Sequence, residues 1–149
     1  MAKSIFNKTD REEILERLGK LQPDSARQWG KMNASQMVCH LTDSLRVGTG
    51  QAPAKSKNSP FSNPVLRWLV VYAMPWPKGK AQTVPEMLAT QPGNWQADIN
   101  TLKEQLRGAV QRGADGAWAE HPAFGKISGK MYGTLIYKHF NHHLSQFGA

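Results

Sequence analysis

His139-Phe140-Asn141-His142-His143-Leu144-Ser145-Gln146-Phe147 places three of the chain's five histidines in one short stretch. If that stretch is helical, His139 and His143 stand one turn apart on one face, because at about 3.6 residues per turn the i and i+4 side chains diverge by only about 40°. Two imidazoles so placed can converge on one ion. Neutral imidazole ligates zinc, nickel, copper and iron. The competing outcome for such a pair is solvation on a polar helix face.

Orientation bears on that choice. On a helical wheel from Ser128 to Phe147, Met131, Tyr132, Leu135, Ile136, Tyr137, Phe140, Leu144 and Phe147 form a broad apolar arc. His143 falls roughly 35° from the centre of that arc and His139 about 75°, whereas His142 lies about 135° away on the polar side. The i,i+4 pair therefore points inward, and His142 is a bystander or a group behind the ligands. Inward imidazoles need their ring nitrogens satisfied, since an unpaired buried polar group costs about 1 to 3 kcal/mol. A metal satisfies both; so do hydrogen bonds to hydroxyls, a carboxylate or water.

A third histidine lies upstream in Asn33-Ala34-Ser35-Gln36-Met37-Val38-Cys39-His40-Leu41. Asn33 with Gln36 three residues on is a capping-box variant, and Ala34, Met37, Val38, Leu41 and Leu45 keep helical spacing. His40 sits about 100° from the apolar centre, at the flank of the buried stripe, where it can line a cleft or face solvent. Three histidines from two helices, with one position open, is the ligand pattern of catalytic rather than structural zinc. Cys39 diverges from His40 by about 100° and is read as a small buried hydrophobe. Asp43 is offset from His40 by about 60°, placed to orient a ligand or relay a proton. Gln36, Gln146, His142 and the loop residue His121 complete the candidate surrounding groups; Glu120 is a weaker acid nearby. His121 precedes a proline, which takes it off any helix.

The elements that must position these residues are helices joined by long connections. Thr9 with Glu12 predicts the start of a first helix closing at Gly19, and Asn33 to Val47 a second. Pro64 opens a short buried helix over Val65 to Met74, which Pro75-Trp76-Pro77 terminates. Trp95, Ile99, Leu102, Leu106 and Val110 mark a fourth, closed near Gly113. Ser128 caps the last helix, whose Gly129 and Gly133 weaken its first turns. The expected class is all-α, a helical bundle in one domain spanning 1–149, with long loops and one short extra hydrophobic helix.

Composition fits one such domain. The chain has 149 residues, 40% of them hydrophobic, and a single cysteine, which precludes an internal disulfide. No opening apolar run resembles a signal peptide, and Trp68 to Met74 is far short of the roughly 20 residues that span a bilayer, so a cytoplasmic protein without a membrane segment is expected. The net charge of +8 raises nucleic-acid binding. Yet the basic residues are dispersed, with only Lys55-Ser56-Lys57 and Lys78-Gly79-Lys80 as small loop clusters and no recognised nucleic-acid motif. An anionic small substrate is a further reading of that charge.

Two blocks carry a family resemblance: Trp29-Gly30-Lys31-Met32-Asn33-Ala34-Ser35-Gln36-Met37 leading to His40, and His121-Pro122-Ala123-Phe124-Gly125 leading to His139-Phe140-Asn141-His142-His143-Leu144-Ser145-Gln146-Phe147-Gly148. The chain resembles the DUF1569 family, a branch of the DinB/YfiT-like superfamily. The resemblance implies a DinB-like four-helix bundle holding a divalent metal, zinc or nickel, on three histidines, which fall here on His40, His139 and His143. It also implies homodimers and reactions of low-molecular-weight thiols such as bacillithiol or mycothiol. The terminal block departs from many relatives at Leu144-Ser145-Gln146, where they carry Arg-Gly-Gln, and the substrate stays open.

The expected function is a divalent-metal-dependent enzyme on a small-molecule substrate, either a low-molecular-weight thiol transferase or a hydrolase. An open coordination position makes both possible. A non-catalytic bundle that binds a ligand or partner is the alternative, with nucleic-acid binding behind it. No catalytic acid or base is assigned from the sequence.

Overall fold

Asparagine and serine caps set where most of the helices begin. The structure, a computed structural model, describes residues 2–56, 58–79 and 83–149, so Lys57 and Lys80 of the two loop clusters lie outside the described residues. Helix α1 spans Lys8–Gly19, α2 Ala34–Gly48, α3 Pro64–Trp68, α4 Trp95–Arg112 and α5 Gly129–Gln146. Single 3-10 turns occupy Pro60–Ser62 and Pro85–Leu88, and a wider π turn, Leu69–Ala73, continues α3. Among the described residues there is no strand, only an isolated bridge between His121 and Gly125, and no helix long and apolar enough to cross a membrane. The chain is all-α.

Helix α1 starts earlier than its sequence signal. Asn7, not Thr9, is the cap, its side chain accepting from the Asp10 amide at 3.1 Å. That choice puts Asp10 in the first turn, where its charge meets the positive helix end and its carboxylate also accepts from the Ser4 amide at 3.0 Å. Helix α2 begins as expected, with both halves of the Asn33–Gln36 capping box formed. Its burial is wider than one stripe, because α4 packs on one side and the Pro85–Leu88 turn on another. Ile99, Leu102, Leu106 and Ala109 of α4 are buried, and Gly113 ends that helix with φ 73°. Helix α5 packs on α1 and meets α2, which sets the two histidine-bearing helices face to face.

The short hydrophobic helix departs from its expected burial. Pro64 does open it, with Asn63 as cap, but the helix widens to the π turn at Leu69, and only Val71 is buried. Val65, Leu66, Trp68 and Met74 are exposed. The segment runs over the surface rather than through the core. Its last carbonyls converge on a cation: Lys138 Nζ donates to Val70 O at 2.6 Å and to Met74 O, while Trp76 Nε1 donates to Val70 O at 3.0 Å. A lysine is well suited to a helix C-terminus, where carbonyls lack internal donors.

Helix α5 is held at both ends. A Cβ at position 129 would stand 2.1 Å from Ala114 O, and one at 133 would stand 2.5 Å from Ser4 Oγ and the Phe6 ring. These glycines, read from the sequence as weakening the first turns, are where neighbouring chain approaches too closely for any side chain. Tyr132, stacked on Trp118 at 4.8 Å, donates its hydroxyl to Ala119 O at 2.6 Å. At the far end the Arg17 guanidinium donates to Asn141 Oδ1 at 2.7 Å and to Ala149 O at 3.0 Å. The histidine turn lies between these anchors.

Candidate metal centre

Helix α2 contributes His40 and helix α5 contributes His139 and His143. Their Nε2 atoms converge: His139 Nε2 lies 2.9 Å from His40 Nε2 and 3.1 Å from His143 Nε2. His40 is 3% exposed and His143 8% exposed. The wheel put His40 at the flank of its helix; the Pro85–Leu88 turn packs across that flank and closes it.

The other ring nitrogens decide what the converging ones can do. His40 Nδ1–H donates to Met87 O at 2.8 Å, and His143 Nδ1–H donates to Gln146 Oε1 at 3.1 Å. Each neutral ring carries one proton, so both of these Nε2 atoms present lone pairs. The Gln146 amide has its own orientation fixed, since its Nε2 donates to Trp29 O at 2.8 Å and only Oε1 is left for His143. His139 Nε2 therefore faces two acceptors with at most one proton to offer. A cation meets all three lone pairs at once. Two nitrogens bound at about 2.1 Å with angles between tetrahedral and octahedral stand roughly 3.0 to 3.4 Å apart, close to the separations seen.

Electrostatics favours the ligating form. Burial pushes all three imidazoles below the ordinary histidine value: His143 to about 3, His139 well down, with its histidine neighbours adding to the effect, and His40 down against the opposing pull of Met87 O. Neutral imidazole is the form a metal needs.

Of the surrounding candidates, Gln146 touches a ring and Asp43 does not. The Asp43 carboxylate accepts from the Thr90 amide at 2.8 Å and the Thr90 hydroxyl at 2.5 Å. It thereby ties down the chain just after Met87, and acts on His40 through that turn. Gln36 is spent on the Asn33 amide at 2.9 Å and does not reach the three rings. His142 packs between Trp29 and Trp76, with ring centroids at 4.7 and 5.6 Å. His121 sits in the loop before α5, where its Nδ1 accepts from the amides of Ala123 and Phe124 at 3.0 and 3.2 Å. Cys39 is buried, its thiol pushed up to about 11 by desolvation, as suits an inert hydrophobe.

Two groups escaped the sequence reading because they are backbone carbonyls, Met87 O and Trp29 O. The second left a trace in Gly30, which has φ 84° and would carry a Cβ only 2.0 Å from Gln146 Nε2. Gln146→Leu removes the acceptor for His143 and is expected to weaken zinc binding on the order of 10- to 100-fold. Competition against a chelator of known affinity measures it; an unchanged affinity would show that Gln146 does not orient the ring.

The three rings form part of the wall of a cavity of about 590 Å³, shared with His121, His142 and Trp76. Its size falls within the usual range for small-molecule sites. His40 and Gln36 also border a smaller cavity of about 270 Å³.

Three histidines at the wall of a large cavity, carried on an all-helical frame, mark out one class of protein. Within it, the chain belongs to the family described as protein of unknown function DUF1569, whose model matches residues 3–149. Neither a curated protein nor a solved structure matches it.

Proposed function

We propose that His40, His139 and His143 hold a divalent metal, zinc or nickel, and that the chain is a metal-dependent enzyme of the DinB/YfiT-like type acting on a small molecule. The convergence of three Nε2 atoms, two of them with tautomers set by Met87 O and Gln146 Oε1, carries the reading. In it, α1, α2, α4 and α5 make up the four-helix bundle, the family resemblance brings a homodimer with it, and the sequence expectation of a cytoplasmic protein stands beside it.

His40, His139 and His143 would hold the metal, which would supply Lewis acidity and a lowered pKa for a bound water or thiol. The protein's own part is to keep the three imidazoles neutral and fixed and to enclose the substrate in a mostly apolar wall. No carboxylate lines the cavity among its described residues. The half-buried ring of His142, 5.2 Å from that of His143, is the wall group placed to accept a proton.

Hydrolysis and thiol transfer are separated by assay of the metal-loaded protein on aryl esters and on alkyl or aryl electrophiles, with and without a low-molecular-weight thiol. Metal-dependent turnover that His139→Ala abolishes is the expected result, and its dependence on thiol assigns the reaction. A second reading, a non-catalytic ligand-binding domain, is favoured by the size of the cavity. Ligand binding with no metal-dependent turnover of any of these substrates would establish it in place of the enzyme.

A further inference from the structure

The cavity wall is chemically unlike the protein's surface. The chain carries a net charge of +8, yet among the described wall residues there is no lysine, arginine, aspartate or glutamate. Aromatic and aliphatic side chains make up most of it, including Phe61, Phe124, Trp76 and Leu135. Two of its hydroxyls are already engaged as donors: Tyr132 donates to Ala119 O at 2.6 Å and Ser44 to His40 O at 2.8 Å. In the metal-free chain an anion entering this space would lose its hydration with no cation among the described wall residues to replace it, a heavy cost for a buried charge. The volume, about 590 Å³, is on the order of twenty waters, ample for two aromatic rings.

The loop before α5 presents a polar handle in this wall, His121. Because His121 Nδ1 accepts two backbone amides, the ring's proton resides on Nε2. No described residue accepts from that N–H. Yet no polar side-chain atom sealed from solvent lacks a hydrogen-bond partner among the described residues, so His121 Nε2–H is not sealed, and the ring that carries it lines the cavity. Burial keeps this imidazole neutral at pH 7, so it is a neutral donor.

We infer that the cavity wall takes the uncharged, largely apolar or aromatic part of its ligand, and that His121 Nε2–H is a specificity-determining donor to a carbonyl-type oxygen on that part. This deepens the reading of the cavity as the substrate site and rests on it.

The test uses three probes of similar size on the metal-free full chain: benzophenone, its para-carboxylate and diphenylmethane, titrated by quenching of tryptophan fluorescence and by calorimetry. His121→Asn is the variant, because the asparagine side-chain oxygen retains an acceptor for the Ala123 and Phe124 amides while the ring N–H is lost. Benzophenone is expected to bind, with the carboxylate at least about tenfold weaker. The variant is expected to weaken benzophenone about tenfold and to leave diphenylmethane unchanged, a loss typical of one hydrogen bond. Carboxylate binding as tight as the ketone, an equal effect of His121→Asn on ketone and hydrocarbon, or no binding of either neutral probe would overturn it. Metal uptake is measured separately, so a chain unable to take up zinc or nickel leaves this result standing.

Discussion

His40→Ala is expected to abolish the rise in melting temperature that the proposed metal centre would give the wild-type chain on addition of zinc or nickel. A ligand that binds only the folded state stabilises it by about 4 kcal/mol at a thousandfold excess over its dissociation constant. For a chain of this size that is a rise on the order of 10 °C. His40 is the residue to remove because it alone would tie α2 to a metal; its loss leaves two imidazoles on one turn of α5. Differential scanning calorimetry with and without metal reads the difference directly. Because the comparison is between loaded and metal-free forms of one variant, a lower baseline in His40→Ala does not obscure it. A variant that still gains the full rise would show that His40 is no ligand.

The metal-free protein is expected to be strongly acid-labile, with the loss beginning near pH 6.5. All five histidines are held below their ordinary value, chiefly by burial, His121 to about 4 and His143 to about 3. In the unfolded chain each takes up a proton near pH 6.5. Between that pH and the lowered native values the unfolded state binds protons that the native state refuses, so stability is complete above about 6.5 and declines as pH falls through the window. The gap from 6.5 to about 4 at His121 alone corresponds to on the order of 3 kcal/mol when fully traversed. Urea unfolding at pH 7.5 and pH 5 checks this, with several kcal/mol less stability expected at the lower pH. Equal stability at both would contradict the burial of these rings.

Much of this site was legible in the sequence because helical periodicity is local. Asn33 and Gln36 fix the start of α2, and the spacing of His139 and His143 puts them on the inward arc whatever packs against it. The apolar stripe of α4 is equally self-contained. What stayed hidden depends on chain far away. His40 looked like a flank residue because nothing in α2 announces that the Pro85–Leu88 turn will cover it and present Met87 O to its ring. Asp43, one turn along, was the natural candidate to orient that imidazole, but it holds Thr90 instead. Thr9 and Asn7 are both good caps, and it is Asn7 whose side chain accepts the Asp10 amide. Val65 to Met74 has the composition of a buried helix, and burial is decided by the layer above, which this segment lacks.

Gly129 and Gly133 show how one residue supports two readings. A glycine in a helix costs roughly 1 kcal/mol against alanine, so from sequence alone they signal a weak start. In the fold they let Ala114 and Phe6 approach the helix, and an alanine at either place would have to displace them.

Elemental analysis of the purified wild-type chain beside His143→Ala tests the metal centre most directly. About one zinc or nickel per wild-type chain, and none in the variant, is the expected result. A wild-type chain that carries no stoichiometric metal and whose melting temperature ignores both chelator and added zinc or nickel would contradict it.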